Sequence, residues 1–119
     1  MPASESRLKV KREGGVIEVQ FRDRNILDEA NIQQIGEEIR QIISSETGPK
    51  LLINFQDVDH LSSAALGQLI TINNSMNKLK GQLRLSNIDP QIFQVFKITK
   101  LDKLFKIHDT ADKARASFT

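Results

Sequence analysis

The run KLLINFQ (residues 50–56) constrains the fold more than any other stretch of the chain. It is apolar at consecutive rather than alternate positions, so a strand made from it must be covered on both faces. Its flanks supply the cover. Upstream, Ile32, Ile35, Ile39, Ile42 and Ile43 recur at spacings of three and four, one stripe of a helix, with Asp28 as N-cap and Gly48-Pro49 as its stop. β-branched residues are mediocre helix formers, so packing of that stripe must hold the helix. Downstream, Leu66, Leu69, Ile70, Ile72, Met76 and Leu79 make a second helical pattern.

The rest of the chain follows the same grammar. RLKVKRE (7–13) and VIEVQF (16–21) alternate apolar with polar, and Gly14-Gly15 between them suits a tight hairpin turn. QLRLSN (82–87) alternates again, and Asp89-Pro90 opens a third helix through Ile92, Phe93 and Phe96. LFKIH (104–108) reads as a short strand, and a last helix from Thr110 places Ala111, Ala114 and Phe118 on one side. The order β-β-α-β-α-β-α-β-α predicts an α/β fold: a mostly parallel mixed sheet of about five strands with an opening hairpin, and about four helices packed on it. One domain over residues 1–119 is expected, with residues 1–6 as a loose N-terminal extension.

Composition narrows the function classes. At 119 residues the chain can bury roughly two-thirds of its unfolded surface, so no metal or disulfide is needed for folding. It has no cysteine, which removes disulfides, thiolate metal sites and cysteine nucleophiles. The net charge is only +2, but from Met76 to Lys106 seven basic residues (Lys78, Lys80, Arg84, Lys97, Lys100, Lys103, Lys106) face only Asp89 and Asp102. That stretch gives a modest positive field for an acidic partner, or simply a solvated face. Six Phe without Tyr or Trp is a poor inventory for stacking bases, so nucleic acid is not expected as a partner. The first residues, MPASESRLKV, have no apolar signal region, and no run of eighteen apolar residues occurs. Direct membrane insertion is therefore not expected, and a cytoplasmic location is.

Chemistry-bearing residues concentrate in DVDHLSSAALG (57–67). Asp57, Asp59, His60, Ser62 and Ser63 contain the letters of a hydrolytic triad, but neighbours this close cannot easily orient one another, and no glycine flanks a serine as in a nucleophile elbow. His60 and His108 alone make no metal-ligand pattern, and the six glycines form no phosphate loop. What remains is a strand-to-helix junction with two serines. One can cap the helix through its hydroxyl, although Ala65 and Leu66 leave no capping-box partner. A phosphate added there would face free N–H groups and the positive end of the helix dipole. It would also add about −1.5 to −2 charges to any surface that a partner touches.

LLINFQDVDHLSSAALGQLI (51–70) resembles the central motif of STAS domains, particularly the anti-anti-sigma factors of the SpoIIAA/RsbV type, in which an apolar strand leads into Asp-Ser-Ser-Gly-Leu-Gly at a helix start. NILDEANIQQIGEEIRQII (25–43) resembles the family's first helix, and residues 81–118 its C-terminal half, including the LDKLF link. Anchored on Leu66-Gly67, the resemblance puts the phosphoacceptor at Ser63, with Ser62 the runner-up. Ser62 stands where the family has Asp, Ala64 on the second Ser, Ala65 on the first Gly, and Asn54 where a strand Asp is frequent. A methyl at Ala65 falls where a partner needs close backbone approach.

The resemblance implies an anti-sigma factor antagonist, a binding module rather than an enzyme. Unphosphorylated, it would bind an anti-sigma factor with serine kinase activity; phosphorylation at Ser63 would end that binding, and a serine phosphatase would restore it. ATP and magnesium belong to the kinase, so neither cofactor nor metal is expected in this chain. The implied contact surface is Asp59, His60, Ser62, Ser63, Ala64, Gly67, Gln68 and Thr71, with Ser75 beside it. The alternative is a STAS module that is never phosphorylated, serving as a scaffold or as an accessory subunit of a signalling assembly or transporter.

Overall fold

The computed structural model describes residues 8–118; the expected N-terminal extension lies outside the described residues. Strands β1 (Leu8–Glu13) and β2 (Val16–Phe21) form the hairpin, and its turn takes Gly14 and Gly15 to φ +57° and +80°, which a side chain at both positions would resist. A two-residue strand β3 (Asn25–Ile26) precedes α1 (Glu29–Ser44). Then come β4 (Lys50–Asn54), β5 (His60–Leu61), α2 (Ser63–Lys78), β6 (Gln82–Ser86) and α3 (Pro90–Ile98). A 3-10 turn (Leu101–Lys103), β7 (Lys106–His108) and α4 (Ala111–Ala116) complete the chain. The main sheet has the order β1-β2-β4-β6-β7, antiparallel at the hairpin and parallel elsewhere. The mixed sheet, the hairpin and the four helices agree with the sequence expectation.

Cap chemistry sets the helix starts. Asp28 Oδ1 accepts from Ala30 N at 2.8 Å, and Asp89 Oδ1 accepts from Gln91 N at 2.8 Å with Pro90 as the first helical residue. The isoleucine stripe of α1 is buried at Ile32, Ile35, Ile39 and Ile43, with Ile42 packed at its margin. Together with Leu66, Leu69, Ile72 and Met76 of α2 it covers Ile17, Val19, Leu51, Ile53 and Leu85 of the sheet. Ile92 and Phe96 of α3 join the same core.

The other sheet face is different. There α4 covers Val16 and Leu52 with Ala114, Ala111 and Phe118, as the spacing of the last helix predicts. Consecutive residues Leu51, Leu52 and Ile53 are each fully buried because both faces of β4 are occupied. Among the described residues the buried polar side chains are Asn54, Arg84 and Ser86, which occupy the α4-facing register of β4 and β6. Arg84 is thus not part of the solvated basic stretch suggested by the sequence. Its guanidinium donates to Ser117 Oγ at 2.8 Å and Leu83 O at 3.1 Å and lies 5.0 Å from the Phe118 ring. Burial lowers its pKa from the ordinary guanidinium value.

Two strands are shorter than their apolar runs. β4 ends at Asn54 because Phe55 and Gln56 turn away into the loop, and β7 begins at Lys106 because Leu104 and Phe105 still close the 3-10 turn with their N–H groups on Leu101 O.

Candidate functional site

The junction of β4 and α2 is built by three local devices. Phe55 leaves the sheet with its N–H on Ser86 O (2.9 Å), and Val58 N–H returns to Phe55 O (3.0 Å) across Asp57 at φ +70°. The loop is then stapled to the segment after β2. Asp59 N–H reaches Arg24 O (2.8 Å), Arg24 Nε reaches Asp59 Oδ2 (3.0 Å), and β5 pairs in parallel with β3 (Asn25 with His60, Ile26 with Leu61). Ser62 N–H donates to Ile26 O at 3.1 Å, which fixes the residue before the helix. Arg24 and Asn25 were not legible as site residues, since a two-residue pairing has no periodicity to detect.

The structure then separates the two serines. Ser62 is the N-cap, extended at φ −83° and ψ 167°, with its Oγ accepting from Ala65 N at 3.2 Å. Ser63 is the first helical residue and is exposed, and its hydroxyl engages no other described residue. Its backbone N–H and that of Ala64 are among the first-turn donors that a helix cannot satisfy internally.

Removing the Ser62 hydroxyl is expected to cost about 1 kcal/mol as Ser62→Ala, whereas Ser62→Asp keeps the cap and gains from the helix dipole. Urea unfolding of the two variants checks both signs; an unchanged midpoint for Ser62→Ala contradicts the cap.

Of the expected contact residues, four form an exposed patch on α2. Ser63, Gly67 and Thr71 are exposed at successive intervals of four on α2, with Ala64 exposed beside them. A Cβ at Gly67 would meet nothing within 4 Å, so the stripe is open at its centre. His60 is exposed and its Nδ1 lies 2.7 Å from Asn25 Oδ1. Asp59 and Ser62 are half-buried by the stapling contacts. Gln68 is half-buried and turned toward α1, where its Oε1 accepts from Arg40 Nη1 at 3.1 Å over Gly36. A Cβ at Gly36 would sit 2.2 Å from that oxygen, so the glycine admits the Gln68 side chain. Ser75 is half-buried farther along α2.

Two departures from the family motif have a local physical reason. Ala65 is 6% exposed, and its methyl lines an apolar cavity beside Phe21, Ile26 and Leu69. It therefore points into the core, not toward an approaching partner as the sequence suggested. Asn54 is 4% exposed; its Nδ2 donates to Glu18 Oε2 at 3.1 Å while its Oδ1 accepts from Gln56 N at 2.8 Å. An aspartate here would bring two carboxylates together, so Glu18 dictates the amide.

The profile of the STAS domain matches residues 7–114. This chain belongs to the STAS-domain family. Its fold is similar to that of an anti-sigma-factor antagonist (STAS) domain protein from Planctomyces limnophilus, with a TM-score of 0.82 at 20% identity over 90% of this chain and 93% of that one. The phosphorylated form of the Bacillus cell-fate determinant SpoIIAA matches at 0.68 and 18% identity, over 92% of this chain and 96% of that one. The murine anion transporter Slc26a9 matches at 0.73 and 13% identity; 89% of this STAS chain corresponds to 18% of the transporter. A search of curated protein sequences returns no match. No described helix is long and apolar enough to cross a membrane.

Proposed function

We propose that this STAS domain is an anti-sigma factor antagonist whose unphosphorylated form binds an anti-sigma factor with serine kinase activity, and that phosphate on Ser63 switches the binding off. The carrying observation is Ser63 itself: exposed, unengaged, and placed directly after the Ser62 cap at the positive end of α2. A phosphate there is accommodated by the helix terminus, so the fold survives the modification. The contact surface of Asp59, His60, Ser62, Ser63, Ala64, Gly67, Gln68 and Thr71 then meets its partner with the added charge at its edge. Charge repulsion and the cost of desolvating the phosphate release the complex. In this reading the chain is not itself an enzyme; the kinase brings the ATP and magnesium, and a serine phosphatase resets the switch.

Calorimetric titration against an anti-sigma factor kinase from the same genome tests this. The wild type is expected to bind, and Ser63→Glu to bind at least about tenfold more weakly. Equal affinities contradict the switch.

A second reading, a STAS scaffold or transporter accessory that is never phosphorylated, is favoured by the loss of the acid at Ser62. The Slc26a9 match shows that the fold also occurs within a transporter. That reading predicts no effect of Ser63→Glu.

A further inference from the structure

The net charge of +2 conceals a separation of charge along the strands. Because β2, β4, β6 and β7 are parallel, every helix that connects them starts at their C-terminal edge and ends at their N-terminal edge. Asp28 and Asp89 cap α1 and α3, and Asp57, Asp59 and Asp109 lie in the loops after β4 and β7; Lys78 and Lys97 occupy the last turns of α2 and α3, with Lys80 and Lys100 in the loops that follow. Asp57, Asp59, Asp89 and Asp109 thus share the Ser63 end, where Asp59 and His60 face Asp89 and Gln91 across a cleft. Lys78, Lys80, Lys97, Lys100, Lys103 and Lys106 gather at the opposite end, where Gly81 and Gln82 face Leu104 and Lys106.

All six lysines are exposed, and none forms an ion pair among the described residues. The carboxylates of Glu13 and Glu46 at that end are engaged by Lys11 and Arg12. Asp102 is half-buried, and Lys97 Nζ lies 5.9 Å from the Phe93 ring. Between the lysines stand apolar side chains with nothing over them: Ile98 is 79% exposed, Leu104 46% and Val95 42%.

We propose that this basic end docks on anionic lipid headgroups at a membrane surface. The lysines are distributed over two helix ends and the 3-10 turn instead of converging on one groove, which matches a diffuse negative surface better than a single acidic side chain. Nucleic acid would leave Ile98 and Leu104 against water, and no phenylalanine at this end is fully exposed for stacking. A headgroup layer takes both: lysines pair with the anionic groups and the apolar tips sit just beneath them. Docking through this end turns Ser63 away from the membrane, so the inference stands independently of the proposed switch.

Co-sedimentation of the full chain with phosphatidylcholine vesicles, with and without phosphatidylserine, tests it at low salt. Binding is expected only with phosphatidylserine and is expected to fall as salt is added. Lys100→Gln combined with Lys103→Gln should weaken it by about 25-fold, and Ile98→Ser by about tenfold. All three positions are exposed, and far-UV circular dichroism verifies that the variants are folded. No binding to phosphatidylserine vesicles, or equal binding to neutral ones, overturns the proposal. So does full binding by Ile98→Ser together with complete competition by single-stranded RNA.

Discussion

Phe55→Ala is expected to lower the unfolding free energy by about 3–5 kcal/mol, a shift of roughly 2 M in the urea midpoint. Phe55 is 1% exposed, and its ring lies 5.3 Å from that of Phe21. It opens the loop to Ser62, in which Val58 is also buried. It already borders a cavity of about 20 Å³ lined by Ile26, Ile35, Leu61 and Leu69, so truncation enlarges an existing void. The neighbouring walls come from both helices and from β3, and they cannot collapse into it together. A loss below about 1 kcal/mol would mean that the junction repacks freely and is not a rigid frame.

Glu18→Ala is the second large effect, expected at about 2–3 kcal/mol because it leaves part-buried partners behind. Glu18 binds Arg115 of α4 through one carboxylate oxygen and Asn54 Nδ2 through the other, tying the last helix to β2 and β4. Its side chain is 13% exposed and that of Arg115 24%, which discounts the figure for a fully buried pair. The Arg115 pKa is raised by its hydrogen bond to Asp112 and further by Glu18. A raised base contributes stability below its unfolded pKa and loses it only above its folded one, so near neutral pH this pairing adds no pH dependence from the arginine. Chemical denaturation of Glu18→Ala, Arg115→Ala and the double variant measures the coupling; additive losses would show that the pair does not act as a unit.

Much of this architecture was legible because caps and periods coincide. Asp28 and Asp89-Pro90 announce α1 and α3 through the same hydrogen bonds that the structure forms. The isoleucine stripe and the consecutive apolar residues of β4 define a buried layer. The alternation in QLRLS shows that Arg84 faces away from Leu83 and Leu85, but not that α4 closes over it; that depends on a contact between residues 33 positions apart. β3 and β5 were invisible for the same reason, although they hold Ser62 in place. At the site, spacing alone left the two serines interchangeable. Geometry divides them into a cap and an exposed neighbour. The methyl of Ala65, read from sequence as lying where a partner approaches, lines the core cavity, and the amide of Asn54 in place of the frequent strand Asp answers to Glu18.

Phosphosite mapping decides whether Ser63 is the switch. The purified protein is incubated with ATP, magnesium and an anti-sigma factor kinase from the same genome, and its peptides are read by tandem mass spectrometry. A single phosphate is expected on Ser63, with none on Ser62 and none on the Ser63→Ala variant. Phosphate on Ser62 instead, or an unmodified protein under conditions where the kinase modifies its own substrates, would contradict the switch.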